Sequence, residues 1–570
     1  MSSEKPTNEH ISRIDQNQDQ SPDSVRSHGL TVSGFAVYSA VVLIAFSGLM
    51  NVIGAGAFGK YIAISVGGSS ESTWLSQVTA IVVTLLGPPI AQAADYWGRK
   101  WFVVLTTILG FVGCIVVSRS TSMGMAITGE VLAALGYSSQ ALLNAIASEI
   151  VPRRWRPAAQ GIMSLTSGLG AAFSLLFGFA MVSDSSEGWR VFWYVDSGLI
   201  LSGAILFAFF YNPPPRESQQ ALTTKAKLRK LDWMAFVLLA SGIILLNLSL
   251  TWYDNPYPWS NARVASTFAL GAAFLIALAG HQVFLKKDGL FNHNIFKNNR
   301  NCALALFCIF VEGLFFFSFN NFFPIEMAIL YESGDFKLGL RMSITYFAAI
   351  FSAIAVSIYS SWTKDIRNPT ILAYVLLVIY SVLMATATLG SSKAVFAYPA
   401  FAGLGLGIAV ANITTAAQLC APPSLIAITS GLVAGIRSFG GSIALPIFNS
   451  IFNSTITKQI PAEIAAAVLP LGLSPDDLGR FIVALTSQDQ QALEIIPGVT
   501  TSMIDAGHQG LATAYLLGFR YVWIAAGAFA FVAAVGSCFF VNTRDDLNMQ
   551  IDAPLQPQHG DDESMKAIET

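Results

Sequence analysis

Residues 91–100, AQAADYWGRK, set Asp95, Arg99 and Lys100 into one short connection with a long apolar stretch on either side. Charge placed between apolar runs suits a turn at a membrane surface, where cations gather beside spanning helices. The rest of the chain has the composition this reading needs. Of 570 residues, 54% are hydrophobic and 12% charged, with a mean hydropathy of +0.57; soluble domains carry roughly a quarter charged residues. A net charge of -2 gives no basic field, which argues against nucleic acid as a partner. Cys114, Cys302, Cys308, Cys420 and Cys538 lie in apolar stretches without CxxC spacing, and the six histidines are scattered. Neither a disulfide framework nor a metal site is expected. No P-loop pattern occurs, so neither a nucleotide-driven pump nor a bound cofactor is expected, and no enzyme signature stands out.

A spanning helix needs about 20 mostly apolar residues. Segments of that kind fall at 32–56, 73–94, 101–118, 122–148, 158–182, 191–211, 233–252, 264–284, 301–330, 342–362, 369–389, 394–420, 424–452 and 521–541. The polar ends, 1–30 and 542–570, are expected to be disordered cytosolic tails, and the first lacks the apolar core of a signal peptide. Lys and Arg set the orientation. With the N-terminus inside, the inner connections hold Arg99 and Lys100; Arg153, Arg154 and Arg156; Arg216, Lys225, Lys227, Arg229 and Lys230; Lys286, Lys287, Lys297 and Arg300; and Lys364 and Arg367. The outer connections hold mostly single cations, such as Lys60, Arg119 and Arg190. Both termini are therefore expected in the cytoplasm, and residues 91–100 form the inner turn between the second and third spans.

A positive-inside turn needs only Arg99 and Lys100. Asp95, four residues before Arg99, and Gly98, which permits a tight turn, add a pattern. AxxxDxxGRK resembles the loop signature of the major facilitator superfamily, with Ala91 where the family usually has Gly. In that family the acid packs against the inner start of a helix in the other half and latches the inner gate. The resemblance therefore implies a gating role for Asp95, Gly98, Arg99 and Lys100. The matching helix is the thirteenth, after APPS (421–424), where Pro422 and Pro423 suit a helix start and free N–H groups favour a carboxylate.

Internal repetition points the same way. SWTKDIRNP (361–369) puts Asp365 and Arg367 where a worn second copy of the loop would fall. Gly161 and Gly170 in the fifth span have the same spacing as Gly431 and Gly440 in the thirteenth, and small residues let helices approach closely. The resemblance implies an all-α membrane protein of the major facilitator fold with 14 transmembrane helices. Two six-helix lobes, 31–211 and 300–541, would flank a linker, 212–299, that adds two helices, with a long outer loop at 454–519. GWRVFWYV (188–195), YNPPPRE (211–217), LDWMAFVLLASG (231–242), YPWS (257–260), TTAAQLCAPPSLIAITSGL (414–432) and GIRSFGG (435–441), in this order, are similar to the fourteen-span fungal efflux pumps typified by trichothecene exporters, a branch close to siderophore-iron transporters. Two departures matter. Ser174 and Leu175 stand where drug-proton antiporters usually carry Gly-Pro, and the fourth span offers Glu130 in place of a frequent arginine.

Ionisable groups inside spans are costly and face a cavity or a partner. Glu312, Glu130 and Asp196 are the candidates to carry a proton, with Glu312 first because it lies well inside a span of the second half; Glu130 and Asp196 sit nearer the outer side, where an interfacial role competes. In the ninth span, Phe316, Phe319, Asn320 and Phe323 fall on one helical face. Most rings of this run are expected to meet lipid or neighbouring helices; a cavity-lining Asn320 face would suit a bulky amphipathic solute. Asn51, Asn144, Asn412, Gln418 and Arg437 are further candidates to line a central path.

The leading expectation is a transporter in the lipid bilayer that exports a small amphipathic fungal metabolite or toxin by alternating access, driven by protons. Proton-coupled uptake of a ferric siderophore, and a transporter-like sensor, are the alternatives. A monomer in the plasma membrane is expected, with vacuolar or vesicular membranes open.

Overall fold

The computed structural model describes residues 32–549 except 69–71, 73, 150, 214–222, 253–256, 297–299, 333, 423–424, 488, 542–543 and 545; for 32–34, 335, 490 and 494 it describes the backbone alone. The expected tails, apart from a few residues after 543, lie outside the described residues, as do Arg216, Lys297 and Pro423. Among the described residues, 14 helices are long and apolar enough to cross a membrane. They are α1 (Phe35–Val66), α2 (Trp74–Trp97), α3 (Arg99–Ser118), α4 (Met123–Glu149), α5 (Arg153–Asp184), α6 (Gly188–Phe210), α7 (Trp233–Trp252) and α8 (Ala262–Leu285). After these come α9 (Asn301–Leu330), α10 (Phe336–Thr363), α11 (Arg367–Ala385), α12 (Pro399–Cys420), α13 (Ile426–Leu471) and α14 (Thr501–Ser537). Backbone groups in lipid must pair within the segment, which makes a helix the default for each apolar run.

The packing repeats. Helix α1 packs on α5 and α6, α3 on α4 and α6, and α2 on α4; in the second half α9 packs on α13 and α14, α11 on α12 and α14, and α10 on α12. Across the seam, α5 lies along α10, and α2 lies along α13. Adding eight to each helix number maps one set onto the other. The paired glycines sit at equivalent places in this scheme. A Cβ at Gly161 of α5 would collide with Ser357 of α10, and one at Gly431 of α13 with Ala91 of α2. A Cβ at Gly170 would strike the Phe46 carbonyl of α1, and one at Gly440 the Phe310 carbonyl of α9. The pair α7–α8 packs on itself, with α7 touching α2 and α13.

Between the last two spans the structure differs from the sequence expectation. Most of 454–519, read as a long outer loop, is helical: α13 continues to Leu471, a short helix covers Leu478–Thr486, another Gln490–Ile495, and α14 starts at Thr501. The physical reason is a separate apolar cluster, with Ile464, Val468, Phe481, Leu485 and Met503 buried together, that lets these turns fold beyond the apolar runs.

Candidate functional site

At the end of the bundle that carries residue 98, hereafter the basic end, α2 and α3 meet in a single-residue turn. Gly98 has φ 95°, a left-handed backbone that glycine takes at no steric cost. The charges around it separate. Arg99 is buried and grips Glu149 at the end of α4 with its two terminal guanidinium nitrogens, Nη2 donating to Oε1 at 2.7 Å. Asp95 Oδ1 lies 3.6 Å from Arg99 Nη2, in the second rank of the same network. Lys100 donates to Asn212 Oδ1 at 2.6 Å. Glu149 escaped the sequence reading, although an acid directly before the cationic run 153–156 was its signal. One turn before Asp95, Ala91 meets Gly431, and Ala91 and Ala94 share an apolar cluster with Ile426 and Ala427 at the base of α13. The turn thus packs against α13 through Ala91 and Ala94, while Asp95 lies against Arg99. Ala91 in place of the family glycine is matched by a glycine opposite.

At mid-depth a cavity of about 130 Å³ lies between the halves. Its wall includes Tyr137 and Asn144 of α4, Gln160 of α5, Glu312 and Phe316 of α9, Tyr346 of α10, and Arg437 of α13. Arg437 Nε and Nη2 donate to Glu312 Oε2 and Oε1 at 2.5 and 2.9 Å, a bidentate pair. The guanidinium also stacks over the Phe316 ring, 4.2 Å from its centroid. Glycine makes this possible: a Cβ at Gly313 would strike the Arg437 carbonyl, so α9 and α13 cross at backbone contact. Tyr137 of the first half interacts with Arg437 of the second across the cavity. The halves touch on either side of this space. At the basic end Ser148 donates to Gln418 Oε1 at 2.7 Å, and Arg154 Nε reaches the Ser361 carbonyl at 3.4 Å. At the opposite end Asn321 Nδ2 donates to Ser76 Oγ at 3.2 Å, and Gly339 packs on Phe179.

Glu130 and Asp196, for which an interfacial place competes in the sequence, are both fully buried within the first half. Asp196 Oδ1 accepts from Ser47 Oγ at 2.5 Å and Oδ2 from Cys114 Sγ at 3.5 Å. Glu130 Oε1 accepts from Thr79 Oγ1 at 2.7 Å, and Asp196 is near enough to act on its charge. Asn51 belongs here and not to the cavity wall, its Nδ2 lying 3.9 Å from Cys114 Sγ. Among the described residues no Lys, Arg or His forms an ion pair with either carboxyl group. A further buried acid, Glu326 of α9, accepts from Trp523 Nε1 at 2.6 Å; it escaped the sequence reading, although an acid in an apolar span was the signal.

The aromatic face of α9 is split. Phe316 reaches the cavity, and Asn320 beside it accepts from the Tyr346 hydroxyl and donates to the Phe316 carbonyl at 2.8 Å. Phe319 and Phe323 stack on each other with centroids 4.9 Å apart, and Phe319 leans on Tyr380 of α11, inside the second half. Asn412 accepts from Ser360 Oγ at 3.1 Å, and Gln418 ties Ser148 to Ser430.

Comparison with known proteins bears on the fold. The sequence pattern of the Major Facilitator Superfamily matches residues 36–445. The MFS-type transporter ucsD of Acremonium sp is 25% identical over 506 residues, covering 86% of this chain and 84% of its own. The trichothecene efflux pump TRI12 of Fusarium sporotrichioides is 21% identical, covering 90% and 87%. Among solved structures, a POT family transporter in complex with a thioalcohol-conjugated peptide superposes with a TM-score of 0.55 at 13% identity, covering 87% of this chain and 95% of its own. A bacterial homolog of the human lysosomal transporter Spinster, inward-facing and unoccupied, gives 0.52 at 16% identity, covering 89% and 98%. These structural likenesses speak to the fold.

Proposed function

The chain belongs to the major facilitator superfamily, as a multi-pass secondary transporter related to fungal efflux pumps, and we propose that it exports a bulky amphipathic metabolite by proton-driven alternating access. The observation that carries this reading is the Arg437–Glu312 pair in a cavity that both halves line. At about 130 Å³ the cavity is smaller than the roughly 300–1,000 Å³ of small-molecule sites, which fits a closed intermediate between two open states. Phe316 offers a flat apolar surface, while Arg437, Glu312, Asn144 and Gln160 offer polar ends. A solute with a polar head competes for one member of the ion pair, and its release lets the pair close again.

Proton coupling is assigned to Glu130 and Asp196. A carboxylate buried without a cation is costly, so this is a place where a proton can be held and released as the half opens. Glu312 already has a cation and is assigned to the solute. Asp95, with Gly98, Arg99 and Lys100 around it, is assigned to the latch between α2 and α13 at the basic end, which the cation distribution puts in the cytoplasm with both termini. The proposed working form is a monomer in the plasma membrane. Support for export comes from the efflux relatives.

A deletion strain challenged with a panel of amphipathic secondary metabolites and ferric siderophores tests the assignment. Raised intracellular retention of at least one metabolite, restored to normal by the wild-type gene, is the expected result. Loss of ferric siderophore entry with no retained metabolite would reverse the direction of transport.

A further inference from the structure

Beside the central cavity lies a second space, about 750 Å³, between the pair α7–α8 and the seam where α2 meets α13. Its wall is almost wholly apolar, with Leu239 of α7, Leu278 and Val283 of α8, Phe291 and Phe296 of the segment after α8, and Phe439 of α13. Helix α8 is the least covered span, and Val283, Phe284 and Leu285 at its end are exposed. The groove therefore lies at the perimeter that meets lipid.

Its mouth at the basic end is built from the chain. The last turn of α8, His281–Leu285, is a π-turn, a local widening frequent at functional sites. Buried Asp232 accepts from Gln282 Nε2 at 2.6 Å and from the Leu290 N–H at 3.3 Å, and Gln282 Oε1 accepts from the Phe291 N–H at 2.9 Å. A Cβ at Gly289 would collide with this knot, which folds the segment carrying Phe291 back beneath the groove. Lys225, Lys227, Arg229 and Lys230 lie on the short helix Thr224–Lys230 that leads into Asp232, and Lys286, whose Nζ reaches the Leu231 carbonyl at 3.5 Å, and Lys287 follow the π-turn. The acids here are Asp232, tied into the knot, and Asp288 and Asp95, which both act on Tyr96, so cations outnumber anions. Exposed Trp101 and Trp233 lie at the same end, the level at which tryptophan meets headgroups.

We propose that this groove binds an anionic phospholipid, with an acyl chain between α8 and α13 and its phosphate among Lys230, Lys286 and Lys287. An apolar slot open to the bilayer takes the chain, and the cluster of cations selects the negative headgroup. Gly435 and Ile436 line the groove on the α13 turn that carries Arg437, and Gly435 also packs on Pro88 of α2. The bound lipid braces α13 where Arg437 reaches Glu312 and where α2 and α13 seal. Lipid binding does not depend on which solute is carried.

The test is native mass spectrometry of the full chain released from phosphatidylcholine nanodiscs with or without added phosphatidylinositol. Wild type should retain phosphatidylinositol in preference to phosphatidylcholine. Lys286→Ala, Lys287→Ala and Lys230→Ala should each weaken that preference, by roughly fivefold per charge, with the neutral lipid adducts unchanged. Ala279 of α8 also lines the groove, and Ala279→Trp, which fills it, should remove the retained lipid of both kinds. Equal retention of both lipids by wild type, or a preference that survives loss of all three lysines, would overturn the proposal.

Discussion

Glu312 of α9 and Arg437 of α13 form a two-point ion pair inside the cavity, and the crossing that brings them together depends on Gly313 lying against the Arg437 carbonyl. The pair joins two helices of one half while Tyr137 approaches from the other, so a change at this point is felt on both sides of the seam.

Glu312→Gln and Arg437→Gln each leave the partner as an uncompensated charge, a loss of about 3–5 kcal/mol for a buried pair. Each is expected to lower the melting temperature of the detergent-solubilised protein and to reduce transport at least tenfold. The double variant should recover stability toward wild type but not transport, since non-additivity is the mark of a direct pair. Additive stability losses would show that the two residues act separately.

Glu130→Gln and Asp196→Asn change the groups assigned above to proton coupling without touching the cavity wall. Accumulation driven by an imposed proton gradient in proteoliposomes should disappear, while solute exchange without a gradient should persist. Gradient-driven accumulation at wild-type level in both variants would take coupling away from this pair.

Gly440→Val drives a side chain into the Phe310 carbonyl, and Gly170→Val does the same at Phe46. Overpacking of this kind costs about 1–3 kcal/mol. The equivalence of the two halves predicts similar drops in melting temperature for both, measured on the same preparation. A large drop in only one half would show that the repeat is not matched in energy.

Asp95→Asn keeps the Arg99–Glu149 pair but takes a negative charge from the seam at the base of α13. Thiol labelling of an introduced Asn144→Cys from the basic end should rise severalfold. Labelling unchanged from the parent would deny Asp95 a latch role.

The fourteen spans and the turn at residues 91–100 were legible because apolar length and cation clusters are local signals. So was the repeat, since Gly161, Gly170, Gly431 and Gly440 keep one spacing in both halves. The pairing of Glu312 with Arg437 was not legible. Both were recognised as charges within spans, but their partnership depends on which faces of α9 and α13 cross. For the same reason Phe319 and Phe323, grouped with Phe316 by helical spacing, stack on each other inside the second half, with Phe319 against Tyr380. The segment after residue 454 reads as a loop in sequence because its apolar residues are spaced for a small separate cluster and not for a span.

The central claim is that the halves part and close around one cavity, and locking them tests it most directly. In a Cys538→Ser background, which leaves the buried native thiols, Ser148→Cys and Gln418→Cys are joined by a short cleavable thiol cross-linker across the basic end. The account predicts that cross-linked protein in proteoliposomes transports nothing and that cleaving the linker restores transport. Wild-type transport with the halves joined would contradict it.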